Sequence, residues 1–330
     1  MLGGGMGRKA FRGDLTGMVI HELGRRTEMS SEGLGIRALT PEDVSRLPLT
    51  WYHRHDRGEI RRLVRGFPGR SVWNPDTGEF ALIGPWRHRT DIAQVAELSA
   101  QRSAVALIES AAAGAGHLGA DLLVILESDE RRRPSFYAAI DFEHLEDVVT
   151  LELDVLPDDA AATTDLTFVR VLPDSPEFAQ VRRIDGQAFP WLWRNGPIEF
   201  ETYIRMTDVR IYLGLSEGRP VSYHGVTLYR GWGHLDRIAV LPDLQGHGVG
   251  YQTLRHATAV MAQSGAETVG LSTQGHNHQS RLLYQRFGFI RQASNDYRIY
   301  GRSLGEEPLT RLLRRSPDDS ATATDRDLER

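Results

Sequence analysis

The segment Val240-Leu-Pro-Asp-Leu-Gln-Gly-His-Gly-Val-Gly250 constrains this chain more than any other part of it. Leu235–Val240 ahead of it reads as a strand, and Tyr251–Gln263 after it reads as a helix. Three glycines in five residues therefore join a strand end to a helix start. At such a joint the first backbone N–H groups are unpaired and the helix dipole is positive, so the place suits an anion. A side chain there would hold a phosphate away from the amides. Glycine in a first turn also costs about 0.5–1 kcal/mol each time, which weighs against a helix start with no ligand. A nucleotide P-loop would need Gly-Lys-Ser/Thr at its end, but Gly250 is followed by Tyr251-Gln252. A dinucleotide loop would space its glycines Gly-x-Gly-x-x-Gly, with an acid ending the next strand. Here the spacing is Gly-x-Gly-x-Gly, and the nearest acid, Glu267, precedes that strand.

The rest of the chain sets the frame around this joint. Its 330 residues predict two domains. The absence of cysteine excludes disulfides, thiolate metal sites and a cysteine nucleophile, and agrees with a cytoplasmic protein. A net charge of −5 argues against a nucleic-acid partner. Arg131-Arg132-Arg133, beside Asp129 and Glu130, reads as a solvated turn. No apolar run is long enough to span a membrane, and the N-terminus lacks the apolar region of a signal peptide. Composition predicts a flexible arm over residues 1–34, with Met29 a second candidate start, a linker over 157–165, and a disordered tail over 305–330 apart from a short helix near Leu309–Leu313.

The remaining blocks, 35–156 and 166–304, read as repeats of one another. Gly119-Ala120 precedes a strand at Leu122–Leu126, as Gly265-Ala266 precedes one at Val269–Ser272. Phe136-Tyr137 stands ahead of Phe142 as Leu283-Tyr284 stands ahead of Phe289. In the second block, Thr167–Val171 reads as a strand, and Glu177–Phe189 and Glu199–Met206 as helices. Arg210–Leu215 and Pro220–Tyr229 read as a hairpin across Glu217-Gly218-Arg219.

Val240-x-Pro242-x-x-Gln245-Gly-x-Gly248-x-Gly250 resembles the acetyl-CoA pyrophosphate loop of the GNAT superfamily of N-acetyltransferases. Asn277-His-Gln-Ser-Arg-Leu-Leu-Tyr284-Gln-Arg-Phe-Gly288-Phe289 resembles a second segment of that family, with Ser280 in place of the usual alanine. The resemblance covers 166–304 well and 35–156 in outline, a layout similar to tandem acetyltransferases such as mycothiol synthase. It implies an α/β fold of the α+β type: two GNAT-like domains, each a mixed, mostly antiparallel twisted sheet flanked by helices.

By the same resemblance, Gln245, Gly246, His247, Gly248, Val249 and Gly250 hold the pyrophosphate of acetyl-CoA, the co-substrate, and Asn277 belongs to the same site. Ile238 and Val240 would pair with pantetheine, and the Ile238 N–H would face the carbonyl oxygen. Tyr284 is the expected general acid, since a phenol near pKa 10 is protonated at neutral pH. The base is expected to be His234 or Asp236. Strand alternation predicts both on the face that carries Ile238 and Val240. The family often has a carboxylate where His234 stands, so the histidine is a departure. Phe189, Trp191, Trp193, Phe200 and Tyr203 are candidates for an acceptor pocket, with Glu199 or Glu201 available for a cation. His276 and His278 read as loop residues near the CoA entrance, with no metal expected.

In the first block, Ser99–Ala104 falls opposite Gln245–Gly250 without a glycine, and Arg102 replaces Gly248. Glu130 stands seven residues before Tyr137, as Asn277 stands before Tyr284. That half is therefore expected to have a scaffold or substrate-shaping role, with a C-terminal domain that moves acetyl from acetyl-CoA to an amine by direct attack. The alternative is a non-catalytic acyl-CoA-binding regulatory protein.

Overall fold

The computed structural model describes residues 35–128, 132–154 and 165–315. The expected arm, Glu130, nearly all of the expected linker and the tail beyond residue 315 lie outside those described residues. The first half contains β1 (Arg37–Ala38), α1 (Arg57–Gly66), β2 (Val72–Trp73), β3 (Phe80–Pro85), β4 (Ile92–Ser99), α2 (Ala104–His117), β5 (Leu122–Glu127), α3 (Pro134–Ala139) and β6 (Glu143–Leu153). The second begins with β7 (Leu166–Val171), α4 (Pro176–Ala188), α5 (Pro197–Ile204), β8 (Val209–Ser216) and β9 (Arg219–Tyr229). It continues through β10 (Trp232–Val240), α6 (Val249–Gln263), β11 (Thr268–Gln274), α7 (His278–Phe287), β12 (Ile290–Arg291), β13 (Tyr297–Ser303) and α8 (Leu309–Leu312).

Local chemistry explains most of these boundaries. Asp56 and Glu59 form a reciprocal capping box at the start of α1. Pro176 and Pro197 occupy the first turns of α4 and α5, where no N–H is missed. The paired Gly-Ala sequences are helix stops. Gly119 and Gly265 both have φ +86°, and the N–H of the following alanine returns to Ala115 in α2 and to Met261 in α6. That is the same left-handed cap twice. The N–H of Phe142 returns to Tyr137 as that of Phe289 returns to Tyr284, so the repeated Tyr-to-Phe spacing is again a helix stop.

The strands form one sheet in the order β1-β2-β3-β4-β5-β13-β6-β11-β10-β9-β8-β7, with β12 beside β6. Its neighbours are antiparallel except for β4–β5 and β10–β11. The two halves share this one continuous sheet. They exchange their last strands. β6 of the first half pairs with β11 of the second from Val148 to Leu153, and β13 of the second pairs with β5 of the first from Leu122 to Glu127. β6 and β13 pair with each other at the centre. One apolar cluster belongs to both halves, with Trp86, Ile92, Leu122 and Val124 packed among Trp191, Trp193, Ile299 and Leu312.

Within residues 305–315 the expected short helix forms as α8, and the stretch around it, expected to be a loose tail, is docked. Leu309 and Leu312 enter that shared cluster, and Arg315 pairs with Asp121 and Glu307. The apolar pair three residues apart was a weak signal that the surrounding charge obscured.

On the α6 face of the sheet, buried His224 of β9 meets His256 of α6 at 2.7 Å, between Phe168 and Tyr212. Burial holds the His224 imidazole well below its ordinary value, with His256 pushing the same way, and burial brings His256 down to about 4.

Two outcomes follow from this arrangement. Both imidazoles are neutral in the fold and protonate more readily in the unfolded chain, so stability should be full above pH ~6.5 and fall as the pH drops toward about 4. Urea titrations across that range check this, and a His256→Phe variant should flatten the slope. A chain cut between Asp154 and Asp165 should still purify as one complex, because each piece completes the other's sheet. Halves that separate on gel filtration would contradict the exchange.

Candidate active site

β10 pairs in parallel with β11 only from Trp232 to Leu235, opposite Thr268 to Leu271. Beyond that point the two strands part, although β10 runs on to Val240 and β11 to Gln274. The cause on β10 is a bulge: Leu235 opposes Val226 and Arg237 opposes Gly225, so Asp236 is an extra residue. A bulge resets the alternation of faces. Ahead of it Leu235 packs in the α6 cluster; beyond it Ile238 packs there, and Ala239 joins the α4–α5 cluster. The sequence expectation that His234 and Asp236 share a face with Ile238 and Val240 is therefore corrected. His234, Asp236 and Arg237 all project to the α4–α5 side, while Ile238 and Val240 project toward α6.

Asp236 is the hub of a polar cluster. Its carboxylate meets His234 Nδ1 at 2.7 Å and accepts from Thr227 Oγ1 at 2.7 Å and from the Tyr203 hydroxyl. A β-carbon at Gly225 would sit 2.7 Å from the Tyr203 hydroxyl oxygen, so glycine there is what lets Tyr203 reach Asp236. Burial, then the Asp236 charge, raises the Tyr203 phenol well above its ordinary pKa, which keeps it a donor. The Thr227 and Tyr203 hydroxyls orient the carboxylate, and His234 meets it through Nδ1, which leaves Nε2 as the ring nitrogen away from Asp236.

Arg237 is buried against the same face, 7% exposed, and pairs with Asp185, itself 1% exposed. Its other contacts are the Trp193 carbonyl at 2.9 Å and the face of Phe189 at 3.7 Å. Asp185 also accepts from the Tyr223 hydroxyl. Removing one member of so buried a pair costs about 3–5 kcal/mol.

The parting strands open a cavity of about 220 Å³. His234, Asp236 and Ile238 line it from β10, Thr273 and Gln274 from β11, and Tyr284 from α7. Tyr284 is 4% exposed, and burial raises its phenol above the ordinary value, so it is protonated throughout the neutral range. Asn277 lines the same cavity and spends its side-chain oxygen on the Ser280 N–H as the cap of α7. A more open depression of about 400 Å³ lies over α4 and α5, but the acid–base groups converge on the smaller cavity.

The glycine loop sits at the end of β10. Gly246 and Gly248 have φ +81° and +83°, which side chains rarely adopt. No acceptor among the described residues takes the N–H groups of Gly246 through Gly250. Gly250 has no such backbone need, and a β-carbon there would lie 3.5 Å from Leu283 and 3.8 Å from Val240, both ordinary contacts.

The first half repeats this frame without its chemistry. β4 and β5 pair from Ile92 to Val95 and then part, with a bulge at Ala96. Ala96 thus stands where Asp236 does, and Gln94 where His234 does. Ahead of α2 the anion position is filled from within: Glu79 accepts from the N–H groups of Gln101 at 2.7 Å, Arg102 at 3.0 Å and Ser103 at 2.9 Å. Burial opposes its charge, yet Ser103 and these amides together hold the carboxyl below its ordinary pKa. Tyr137, the counterpart of Tyr284, is fully buried and donates to Glu127.

The first half also reaches into the cavity of the second. Its turn at Trp86–His88 lies against the 189–197 loop, through Trp86 Nε1 to the Leu192 carbonyl at 2.6 Å and a His88–Glu199 pair. Glu199 is thus committed to His88, not left for a ligand. Arg87 and His88 have φ +51° and +50°, a conformation that costs of order 1–3 kcal/mol per residue. Arg87 lines the cavity. Burial, reinforced by Arg237, lowers its guanidinium to about 10, still charged at neutral pH.

Of the aromatic candidates, Phe189 and Trp193 line the cavity, Trp191 and Phe200 are buried core, and Tyr203 holds Asp236. His276 contacts buried Glu146 at 2.8 Å, and no group of three or more metal-ligating side chains occurs among the described residues. Sequence reasoning missed Arg87, Arg237, Asp185 and Glu79. None carries a local motif, and each acts through a partner distant in sequence.

Residues 178–289 match the model of the acetyltransferase (GNAT) family, about a third of the chain. No curated protein matches the chain. Among solved structures, a GCN5-related N-acetyltransferase from Sphaerobacter thermophilus is similar at 15% identity, with a TM-score of 0.58, over 83% of this chain and 96% of that one. A tandem GNAT protein from the clavulanic acid biosynthesis pathway is similar at 15% identity, with a TM-score of 0.52, over 83% and 99%. A GCN5-related N-acetyltransferase from Kribbella flavida is similar at 13% identity, with a TM-score of 0.56, over 81% and 71%. The fold is that of GNAT proteins, in a tandem layout.

Gly250→Ala should separate folding from ligand binding. The helix should gain up to about 1 kcal/mol in denaturant titration, while affinity for CoA, read by calorimetry, should fall at least tenfold. Undiminished affinity would show that these amides do not hold the anion.

Proposed function

We propose that this chain transfers acetyl from acetyl-CoA to an amine, with residues 35–156 as a scaffold and residues 166–304 as the catalytic unit. The observation that carries the reading is the convergence of Tyr284, the His234–Asp236 pair and the parting of β10 from β11 on one cavity. The donor fits the residues present. The Gln245–Gly250 loop offers unpaired amides to a pyrophosphate, and the matching helix start in the first half already holds an anion, the Glu79 carboxylate. Ile238 and Val240 lie where a pantetheine arm would enter the split, with Asn277 beside it.

Acetyl-CoA brings an activated thioester; the protein supplies position and proton transfer. Asp236 orients His234 and stabilises its imidazolium, so the two candidate bases become one unit with His234 Nε2 as the base. The acceptor nitrogen bonds to the thioester carbonyl carbon, and its surplus proton passes to His234. As the C–S bond breaks, Tyr284 gives its proton to the sulfur. The Ile238 N–H faces the carbonyl oxygen. With no cysteine in the chain, direct attack is the simplest route. In the first half Glu79 fills the corresponding anion position and Glu127 accepts from the Tyr137 hydroxyl, the counterpart of Tyr284, which favours the scaffold role.

Tyr284→Phe should lower kcat about 100-fold or more while changing CoA affinity less than twofold. Free-thiol release on an amine panel and calorimetry read the two. His234→Ala should lose a similar factor, and wild-type turnover should not fall between pH 7 and 9, since burial keeps Tyr284 protonated there. Full activity in Tyr284→Phe would remove this residue from the reaction.

A further inference from the structure

Arg87 is a half-buried cation with no ion-pair partner among the described residues. Its Nη1 donates to Asn195 Oδ1 at 2.8 Å, its Nε is buried with no partner, and its plane lies against Trp86 at 5.4 Å and Trp193 at 5.0 Å. Among the described residues no carboxylate lies within ion-pair distance of it. The acids around the cavity are already engaged: Glu199 with His88, Asp185 with Arg237, Asp236 with His234. A guanidinium whose Nε is buried without a partner is ordinarily matched by an anion. It lines the same cavity as His234 and Tyr284.

Resting on the acetyl-transfer reading above, we infer that the acceptor is a small amine bearing a carboxylate, and that Arg87 is the specificity residue that receives this carboxylate. The planar guanidinium offers a fork of donors matched to a carboxylate, and the two tryptophan rings hold that plane. The amine end then lies toward His234. The cavity is small, and Asp236 supplies a negative charge of its own, so a singly charged carboxylate fits better than a dianionic phosphate. The first half thereby contributes selection to a site whose acid and base lie on the second.

Binding of reaction products in the presence of CoA tests this without turnover. N-acetyl amino acids should bind the wild-type protein about tenfold or more tighter than the matching N-acetyl amino acid amides. Arg87→Gln should erase that difference, and Arg87→Lys should restore part of it, with CoA affinity unchanged in both as the check on folding. In turnover, Arg87→Gln should raise KM for amino acids far more than for amines that lack the carboxylate. Equal binding of acids and amides by the wild-type protein, or no binding of either, overturns the inference even if the variants fail to fold. Acetylation of amines with no preference for a carboxylate would sink the inference and leave the transfer reading standing. Acid-selective binding with no amine acetylated would do the reverse.

Discussion

One extra residue in β10 governs the site. Because Asp236 has no opposite number on β9, the strand carries two successive side chains, Asp236 and Arg237, to the same side of the sheet. Both are charged, and each finds its own set of partners: Asp236 gathers His234, Thr227 and Tyr203, and Arg237 is clamped by Asp185 and the Trp193 carbonyl. The same extra residue turns Ile238 and Val240 toward α6 and marks where β10 leaves β11. A strand in strict alternation would send Asp236 and Arg237 to opposite faces. The cavity, its polar wall and its apolar wall thus share a single backbone cause.

The first half has that backbone cause as well, but not its result. Its bulge places Ala96 where an acid would be needed, and its helix start is closed by Glu79. An internal carboxylate answers the same electrostatic demand as a bound anion, at a lower entropic cost because the chain already holds it nearby. The two halves are thus one architecture whose loop amides meet a carboxylate of the chain in the first half and no acceptor among the described residues in the second. The Trp86–His88 turn gives the first half a different part in the site. Its two left-handed residues are strained, and the contacts to the 189–197 loop hold them there.

Local features were legible in the sequence and distant ones were not. The glycine loop, the Gly-Ala stops and the Tyr-to-Phe spacing are set by dihedral needs within a few residues, so composition reveals them. The hairpin of β8 and β9 turns at Glu217 and Gly218, both with positive φ, as the turn residues implied. Periodicity failed at the bulge, because a register shift depends on the neighbouring strand and leaves no mark in β10 itself. The sheet centre, where β6 and β13 pair across the two repeats, likewise left no mark in either strand alone. Arg87 was invisible because its meaning lies in Trp193 and Asn195, more than a hundred positions away.

The placement of β13 bears on how the chain is made. A ribosome releases the first half long before residues 297–303 exist, yet β5 has its neighbour on that side only once they arrive. Until then the nascent first half presents an open strand edge, the kind of surface that recruits foreign strands. The first half therefore completes its sheet on that side only when residues 297–303 have been made.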